Sequence, residues 1–485
     1  MTNTNVVPKY TQLFINNEFV DAVSGKKFPT VNPATGKVIA EIAEGDKADV
    51  DLAVAAAKKA FHRNSEWRKL SPTQRSELML KLCSLMERDK LILASLETQD
   101  NGKPLSNSIF AVAAAIDALK YYAGWTDKFT GNTIPAEPYV AQTRKEPIGV
   151  VGQIIPWNYP INMLAWKWAP ALCVGCTIVM KPAEQTPLTA LHAAALAKEA
   201  GFPAGVINVI TGYGPTAGAA ISEHHDIQKV AFTGSGEIGR IIMQAAAKSN
   251  LKRVTLELGG KSPLVIFEDV DVDQAVSIAH NAVFPNAGQT CCAGTRTYVH
   301  EKIYDEFVKK SVALAKARKL GNPFDATVEQ GPQIDEEMMN KVLGYVDIGV
   351  KQGANLACGG KRFGNEGYFI EPTIFTEVTE NMRIAQEEIF GPVMSVLKFS
   401  SLEEVIDRAN DVEYGLAAGV LTNDINKATK FANNINAGSV WINCYTAVMP
   451  QTPFGGYKQS GIGREMGAAG LEGYLETKTI TLKLN

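Results

Sequence analysis

The chain has 485 residues, of which 46% are hydrophobic and 20% charged, with a formal net charge of −3. That length supplies two or three domains with sizeable cores, and the composition is that of an ordinary soluble protein. A charge balance this close to neutral, with no basic block, excludes nucleic acid as the main partner, because phosphate binding needs clustered Lys and Arg.

The apolar stretches are interrupted too early to span a bilayer, so no membrane partner is expected. The N-terminal MTNTNVVPKYTQLF has no charged region ahead of an apolar run and no Arg-rich amphipathic leader, which points to a cytoplasmic location. FINNEFVDAVSGKKFPTVNPATGKVIAEI then alternates short apolar runs with turn signals and predicts hairpin strands. Two amphipathic helices are expected next, ADVDLAVAAAKKAFHR and SPTQRSELMLKLCSLMERDK, the second opened by Ser71 with Pro72 in its first turn. A third helix is expected at about 106–126.

From 147 the rhythm becomes strand, helix, strand. GVVGQII, CTIVMK, VINVIT, KVAFT and RVTLEL read as strands, with helices from about 161, TPLTALHAAALAKEA, PTAGAAISE and GEIGRIIMQAAAKS between them. Apolar strands separated by helices predict a doubly wound parallel sheet, buried on both faces. After 260 a second α/β domain is expected. PLVIFED leads into the helix VDQAVSIAHNAVF, a loop at 285–296 and the helix EKIYDEFVKKSVALAKARK, and the sheet also takes MSVLKF, GLAAGVLT and GSVWIN. A glycine-rich loop, PFGGYKQSGIGRE, and the strand KTITLKLN close the chain.

Seven cysteines are scattered in no disulfide pattern, which suits a reducing compartment. Cys173 and Cys176 form a CxxC without a second CxxC or a His pair, so they read as small buried thiols and no metal is expected. Five stretches carry chemistry. In NAGQTCCAGTR, Cys291 reads as a nucleophile or as a packed thiol, with Cys292 beside it. In TLELGGKSP, Glu257 stands near a strand end as a general base or a helix-cap acceptor. In IIPWNYP, Asn158 is an oxyanion donor or part of an Asx turn. In VMKPAEQTP, Lys181 and Glu184 grip a ribose or form a surface pair. KVAFTGSGEIGR spells G-x-G-x-x-G after a strand, the dinucleotide fingerprint, with Glu257 about 20 residues on, where the rule puts a ribose ligand.

PWNYP, KPAE, FTGS, ELGGKSP, GQTCCAGTR, EEIFGPV and PFGGYKQSG, in this order, resemble the NAD(P)-dependent aldehyde dehydrogenases, most of all the cytosolic retinal and mitochondrial acetaldehyde branches. The resemblance runs from NPATGK at 32–37 to 465. It implies an NAD-binding domain over 1–128 and 148–259, a catalytic domain over 260–460, and bridging or oligomerisation segments at 129–147 and 461–485. It makes Cys291 the nucleophile, Glu257 the base, and Asn158 the oxyanion donor. Around NAD it implies Ile155, Pro156 and Trp157, with Lys181 and Glu184 on the adenosine ribose. Gly214 and Pro215 fall on the adenine side, Gly234 and Ser235 at the pyrophosphate, Leu258 and Gly259 beside them. Glu388, with Phe390 next to it, takes the nicotinamide ribose.

On this reading the ribose carboxylate is Glu184 and not Glu257, and Gly236 completes the fingerprint partly by accident. Aldehydes would enter past Tyr159, Trp166, Ala114, Val448 and Phe454. Ala111, Ala113, Ala114 and Ala115 either make a wide channel that suits long or bulky aldehydes, retinal among them, or only favour helix formation. The resemblance gives Thr290, where a cysteine is common, no part in catalysis. Pro285-Asn286-Ala287 departs from the usual loop, and Thr446 and Val448 replace an acid and an aromatic. A homo-oligomer is expected, as a homotetramer. Two other readings are a coenzyme A-acylating relative, against which Glu257 argues, and a silent crystallin-type NAD binder, against which Cys291, Glu257 and Asn158 argue.

Overall fold

A computed structural model describes residues 6–483. Five parallel strands form the centre of an eight-stranded sheet, in the order Ile207–Val209, Thr177–Lys181, Val150–Ile154, Lys229–Thr233, Arg253–Glu257. Numbered by chain order this is 3-2-1-4-5, the doubly wound arrangement, and the order reverses between Val150–Ile154 and Lys229–Thr233. Ligands collect at the carboxyl ends beside such a switch point. Residues 155–158 and 234–236 leave the sheet there. The outer strands are antiparallel: Leu13–Ile15 and Glu18–Val20 on one side, Gly461–Ile462 on the other.

A second sheet of seven strands runs Asn355–Cys358, Thr373–Thr376, Val393–Phe399, Arg296–His300, Pro263–Ile266, Ala417–Leu421, Ser439–Ile442, parallel except at its first strand. A third sheet pairs Leu475–Lys483 with Tyr139–Pro147 and that with Thr133–Ala136. The expected α/β class with a small β element is what the chain folds into.

The amphipathic helices form where the sequence pattern puts them, at Lys47–Phe61, Pro72–Arg88 and Leu105–Ala123. Ser71 caps the second, its hydroxyl accepting from the Gln74 N–H while Gln74 returns a bond to the Ser71 N–H. Three features differ from expectation. PTAGAAISE begins as a π-helical turn, Gly214–Gly218, before Ala219–Glu223. Arg296–His300, where the sequence pattern predicts only the end of a loop at Arg296 and no element over 297–300, is a central strand, and the Arg296 guanidinium is buried against backbone carbonyls. Lys90–Asn101 is a helix buried throughout its second half.

That helix hid because burial on all sides erases the amphipathic period. Its LETQDN end is polar yet inaccessible. Glu97 pairs with Lys103 at 2.7 Å, with both side chains at most 1% exposed. The second Glu97 oxygen accepts from the Ile161 N–H at 3.1 Å, at the start of helix Pro160–Val174. Removing one partner of such a pair strands a charge. Lys103→Met should therefore lower stability by about 3–5 kcal/mol in urea denaturation. Glu97→Gln added to it should restore most of the loss, and a neutral single variant would show that the pair carries no such cost.

Candidate active site

Three loops converge at the switch point. Asn158 is buried, and its Nδ2 donates to the Gln289 carbonyl at 2.9 Å. An amide nitrogen carries two hydrogens, so one is left to point elsewhere. The backbone here is held by side chains that sequence reasoning missed. Asn101 Nδ2 donates to the Trp157 and Asn158 carbonyls at 2.8 and 3.2 Å, and Asn286 Nδ2 to the Asn158 carbonyl at 2.8 Å. Gln289 Nε2 donates to the Asn286 carbonyl at 2.9 Å and Gln289 Oε1 accepts from the Ile334 N–H at 2.9 Å.

The loop ahead of Cys291 is a tight turn over Pro285–Gly288, with φ of 51° at Asn286, 54° at Ala287 and 75° at Gly288. This is the physical content of the departure seen in the sequence. A methyl at Gly288 would lie 2.0 Å from the Gly391 carbonyl oxygen, so only glycine fits.

Glu257 ends its strand with 2% exposure, and neither carboxylate oxygen has a hydrogen-bond partner among the described residues. Burial pushes its pKa well above the usual range. Cys291 and Glu465 push the same way, and Lys167 pulls back. The Cys292 thiol and burial raise the Cys291 thiol, while Glu257 lowers it. Glu257 and the Cys291 thiol thus act on each other across the site. Lys167 and Glu465 form a buried ion pair beside them, also unforeseen. The signal available was one lysine in the otherwise uncharged helix PINMLAWKWAPALCV.

The fingerprint glycines separate cleanly. A methyl at Gly234 would lie 2.4 Å from the Phe232 ring and one at Gly239 3.0 Å from Leu258. At Gly236 it would meet only the Arg240 side chain, at 3.4 Å, so glycine there is not demanded. Ser235 caps helix Gly236–Lys248, leaving an exposed helix N-terminus suited to an anion. Lys181 is buried, its ammonium donating to Glu184 at 3.0 Å and to the Pro182 and Gly212 carbonyls at 3.0 and 2.8 Å. Glu184 is partly open to solvent beside it. Gly214 and Pro215 lie on the surface in the π-helical turn.

Ile155 is buried, Pro156 and Trp157 half-buried, and Trp157 meets Phe390 edge-on at 5.3 Å. Leu258 is buried under Gly239. Glu388 Oε1 accepts from the Gly260 N–H at 3.0 Å, and a methyl at Gly259 would lie 2.2 Å from Glu388 Oε2.

Trp166, Phe454 and Val448 pack into one apolar cluster with Cys291, Cys292, Trp441 and Tyr445, and the Trp166 and Phe454 rings meet at 5.4 Å. Tyr159 stands at the head of helix Pro160–Val174. The alanine reading needs correction. Ala111 and Ala115 are buried in the core, whereas Ala113 and Ala114 are half-buried. Ala114 lies outside the Trp166 cluster, and the exposed Phe110 stands one turn before it. Among the described residues no group of His, Cys, Asp or Glu is placed to hold a metal, and no helix is long and apolar enough to cross a membrane.

Burial raises the Glu388 pKa to about 7, against weaker pulls from the Gly260 N–H, Lys341 and Lys261. A carboxyl raised by folding contributes stability that is complete below its ordinary 4.5 and lost as pH rises through about 7. The stability advantage of the parent over Glu388→Gln should shrink over that window and level off above it. Denaturant unfolding at a series of pH values measures this, and a constant difference would show that Glu388 ionises normally.

The chain matches the aldehyde dehydrogenase family over residues 19–480. Aldehyde dehydrogenase 1A1 of Oryctolagus cuniculus is 56% identical over 99% of this chain and 98% of its own length. The mitochondrial aldehyde dehydrogenase of Homo sapiens is 58% identical over 98% of this chain and 92% of its own. An aldehyde dehydrogenase of Bacillus cereus, solved as an NAD+ complex, superposes with a TM-score of 0.97 at 49% identity, covering 99% of this chain and 98% of that one. With matches of this extent and a fold in agreement from end to end, the chain belongs to the aldehyde dehydrogenase family.

Proposed function

We propose that this protein oxidises aldehydes to carboxylic acids with NAD+, through a covalent intermediate on Cys291. The observation that carries the reading is the interaction of the half-buried Cys291 thiol with the buried Glu257 carboxyl, which ends its strand beside the switch point. The Cys292 thiol and burial raise the Cys291 pKa, and the thiolate is the nucleophile. Glu257 is the base beside it, and its raised pKa makes it a stronger base than an exposed carboxylate.

The Cys291 sulfur adds to the aldehyde carbon as its proton passes to Glu257, which releases that proton to solvent before deacylation. The oxygen, now an alkoxide, is held by the free Asn158 hydrogen and the Cys291 N–H. Losing one such donor costs on the order of 3 kcal/mol. NAD+ supplies the hydride acceptor when bound. The residues fit it: a helix N-terminus at Ser235, a close backbone at Gly234 that a Cβ would fill, and Glu184 on buried Lys181 for the ribose hydroxyls. Glu388 and Phe390 stand on the nicotinamide side. Departure of hydride leaves a thioester on Cys291. Glu257 then takes a proton from water, the hydroxide oxygen bonds the carbonyl carbon, and the carbon–sulfur bond breaks to release acid and thiolate.

In this reading residues 1–128 and 148–259 serve NAD, 260–460 serve the aldehyde, and 129–147 with 461–485 serve assembly. The supporting feature for a homotetramer is strand Leu475–Lys483, paired on one edge only and exposed from 476 onward. Ile238, Ile241 and Leu251 add exposed apolar surface. Seven free thiols suit a cytoplasmic protein.

NADH formation from an aldehyde and NAD+ tests the function. Glu257→Gln should give a burst of NADH followed by a slow steady state, since deacylation needs the base more than acylation does. Lost NAD affinity with unchanged chemistry would return Glu257 to a ribose role. The substrate reading is long or bulky apolar aldehydes, supported by half-buried Ala114 and by Val448 in the apolar cluster beside the thiol. Each methylene buried adds roughly 0.8 kcal/mol. KM for decanal or retinal should lie below that for acetaldehyde, and the reverse order would refute a wide channel.

A further inference from the structure

The Cys291 thiol sits on a single tight turn. The Ala293 N–H donates to the Thr290 carbonyl at 3.0 Å, which makes Cys291 and Cys292 its two central residues. Two tyrosine hydroxyls reach this turn from separate elements. The Tyr159 hydroxyl, ahead of helix Pro160–Val174, is 3.0 Å from Thr290 Oγ1. The Tyr445 hydroxyl, after strand Ser439–Ile442, donates to the Cys292 carbonyl at 2.9 Å.

Both rings are themselves fixed. The Lys103 ammonium lies 4.3 Å from the Tyr159 ring centre and is tied to Glu97, which also holds the Ile161 N–H. The Tyr445 ring packs on Trp441 at 4.8 Å and over two glycines, where an added methyl would come within 2.6 Å at Gly419 and 3.1 Å at Gly294. Burial raises both phenols above their usual range, so both keep their protons and remain able to donate.

We propose that Tyr159 and Tyr445 are positioning residues that clamp the Thr290–Ala293 turn and so fix the direction of the Cys291 sulfur. The proposal rests on reading Cys291 as the nucleophile. It gives Thr290 a definite task, to present a hydroxyl to Tyr159. A four-residue turn held only by its own hydrogen bond samples several geometries, and the thiol reacts from few of them. Each anchoring hydrogen bond contributes about 0.5–1.5 kcal/mol, or roughly two- to tenfold in the share of reactive geometry.

The test compares Tyr159→Phe, Tyr445→Phe, Thr290→Val and Thr290→Ser with the parent. Two rates are read: iodoacetamide alkylation of Cys291, followed by peptide mass, and single-turnover NADH formation. Each Phe variant should lower both rates by about three- to tenfold while NAD affinity stays within about twofold. Thr290→Val should match Tyr159→Phe and add nothing to it, and Thr290→Ser should retain the parental rates. Parental rates in both Phe variants, or losses at Thr290 and Tyr159 that multiply, would overturn the clamp. If the parent itself forms no NADH from aldehydes, the functional reading fails, and the alkylation rates still decide the clamp.

Discussion

One buried ammonium organises the centre of this molecule. Lys167 has no exposed surface, and it lies on a helix with no other charge. Taking an ammonium out of water costs several kcal/mol, which only close partners can offset. Here they are Thr233 Oγ1 at 2.6 Å, at the end of a central strand, and the carboxylate of Glu465, from the glycine-rich loop near the end of the chain. Three remote segments must therefore meet at one point. The same charge faces Glu257 and tempers the rise in its pKa, so the group that fastens the architecture also acts on that carboxyl.

Much of this was legible in the sequence, for identifiable reasons. Strands buried on both faces stand out as apolar runs, and capped amphipathic helices announce their own starts, as Ser71-Pro72 does. Arg296–His300 was lost because a strand that buries a guanidinium does not read as apolar. Lys90–Asn101 was lost because its polar residues are satisfied by partners far off in the chain, such as Asn101 by the Trp157 carbonyl. The fingerprint shows the opposite failure. Its pattern was complete, yet only Gly234 and Gly239 answer to steric demands, and the acid at the expected distance faces a thiol instead. A spacing rule counts residues, whereas the function of Glu257 depends on which way its strand presents it.

The loop ahead of Cys291 is the most strained part of the site. Two non-glycine residues in succession, Asn286 and Ala287, hold left-handed backbone angles. Each costs roughly 1–2 kcal/mol, and such a conformation persists only when its surroundings over-determine it. Asn286 donates to the Asn158 carbonyl, Gln289 to the Asn286 carbonyl, and Gln333 Nε2 to the Ala287 carbonyl at 3.1 Å. The loops that carry Asn158 and Cys291 are thus braced against each other.

The edge strand Gly461–Ile462 has a temporal side. It completes a sheet whose other strands lie between residues 13 and 257, and it brings Glu465 to Lys167. A polypeptide emerges from the ribosome in order, at about 5–20 residues per second. The first sheet must then wait for some 200 further residues, on the order of ten seconds or more at that pace, with Lys167 unpaired and the flank of Arg253–Glu257 open. During that interval the nascent chain lacks the segment that brings Glu465 to Lys167 beside Glu257. Completion of the first sheet is thereby tied to the late stages of translation, and an incomplete chain presents an unpaired sheet edge at Arg253–Glu257.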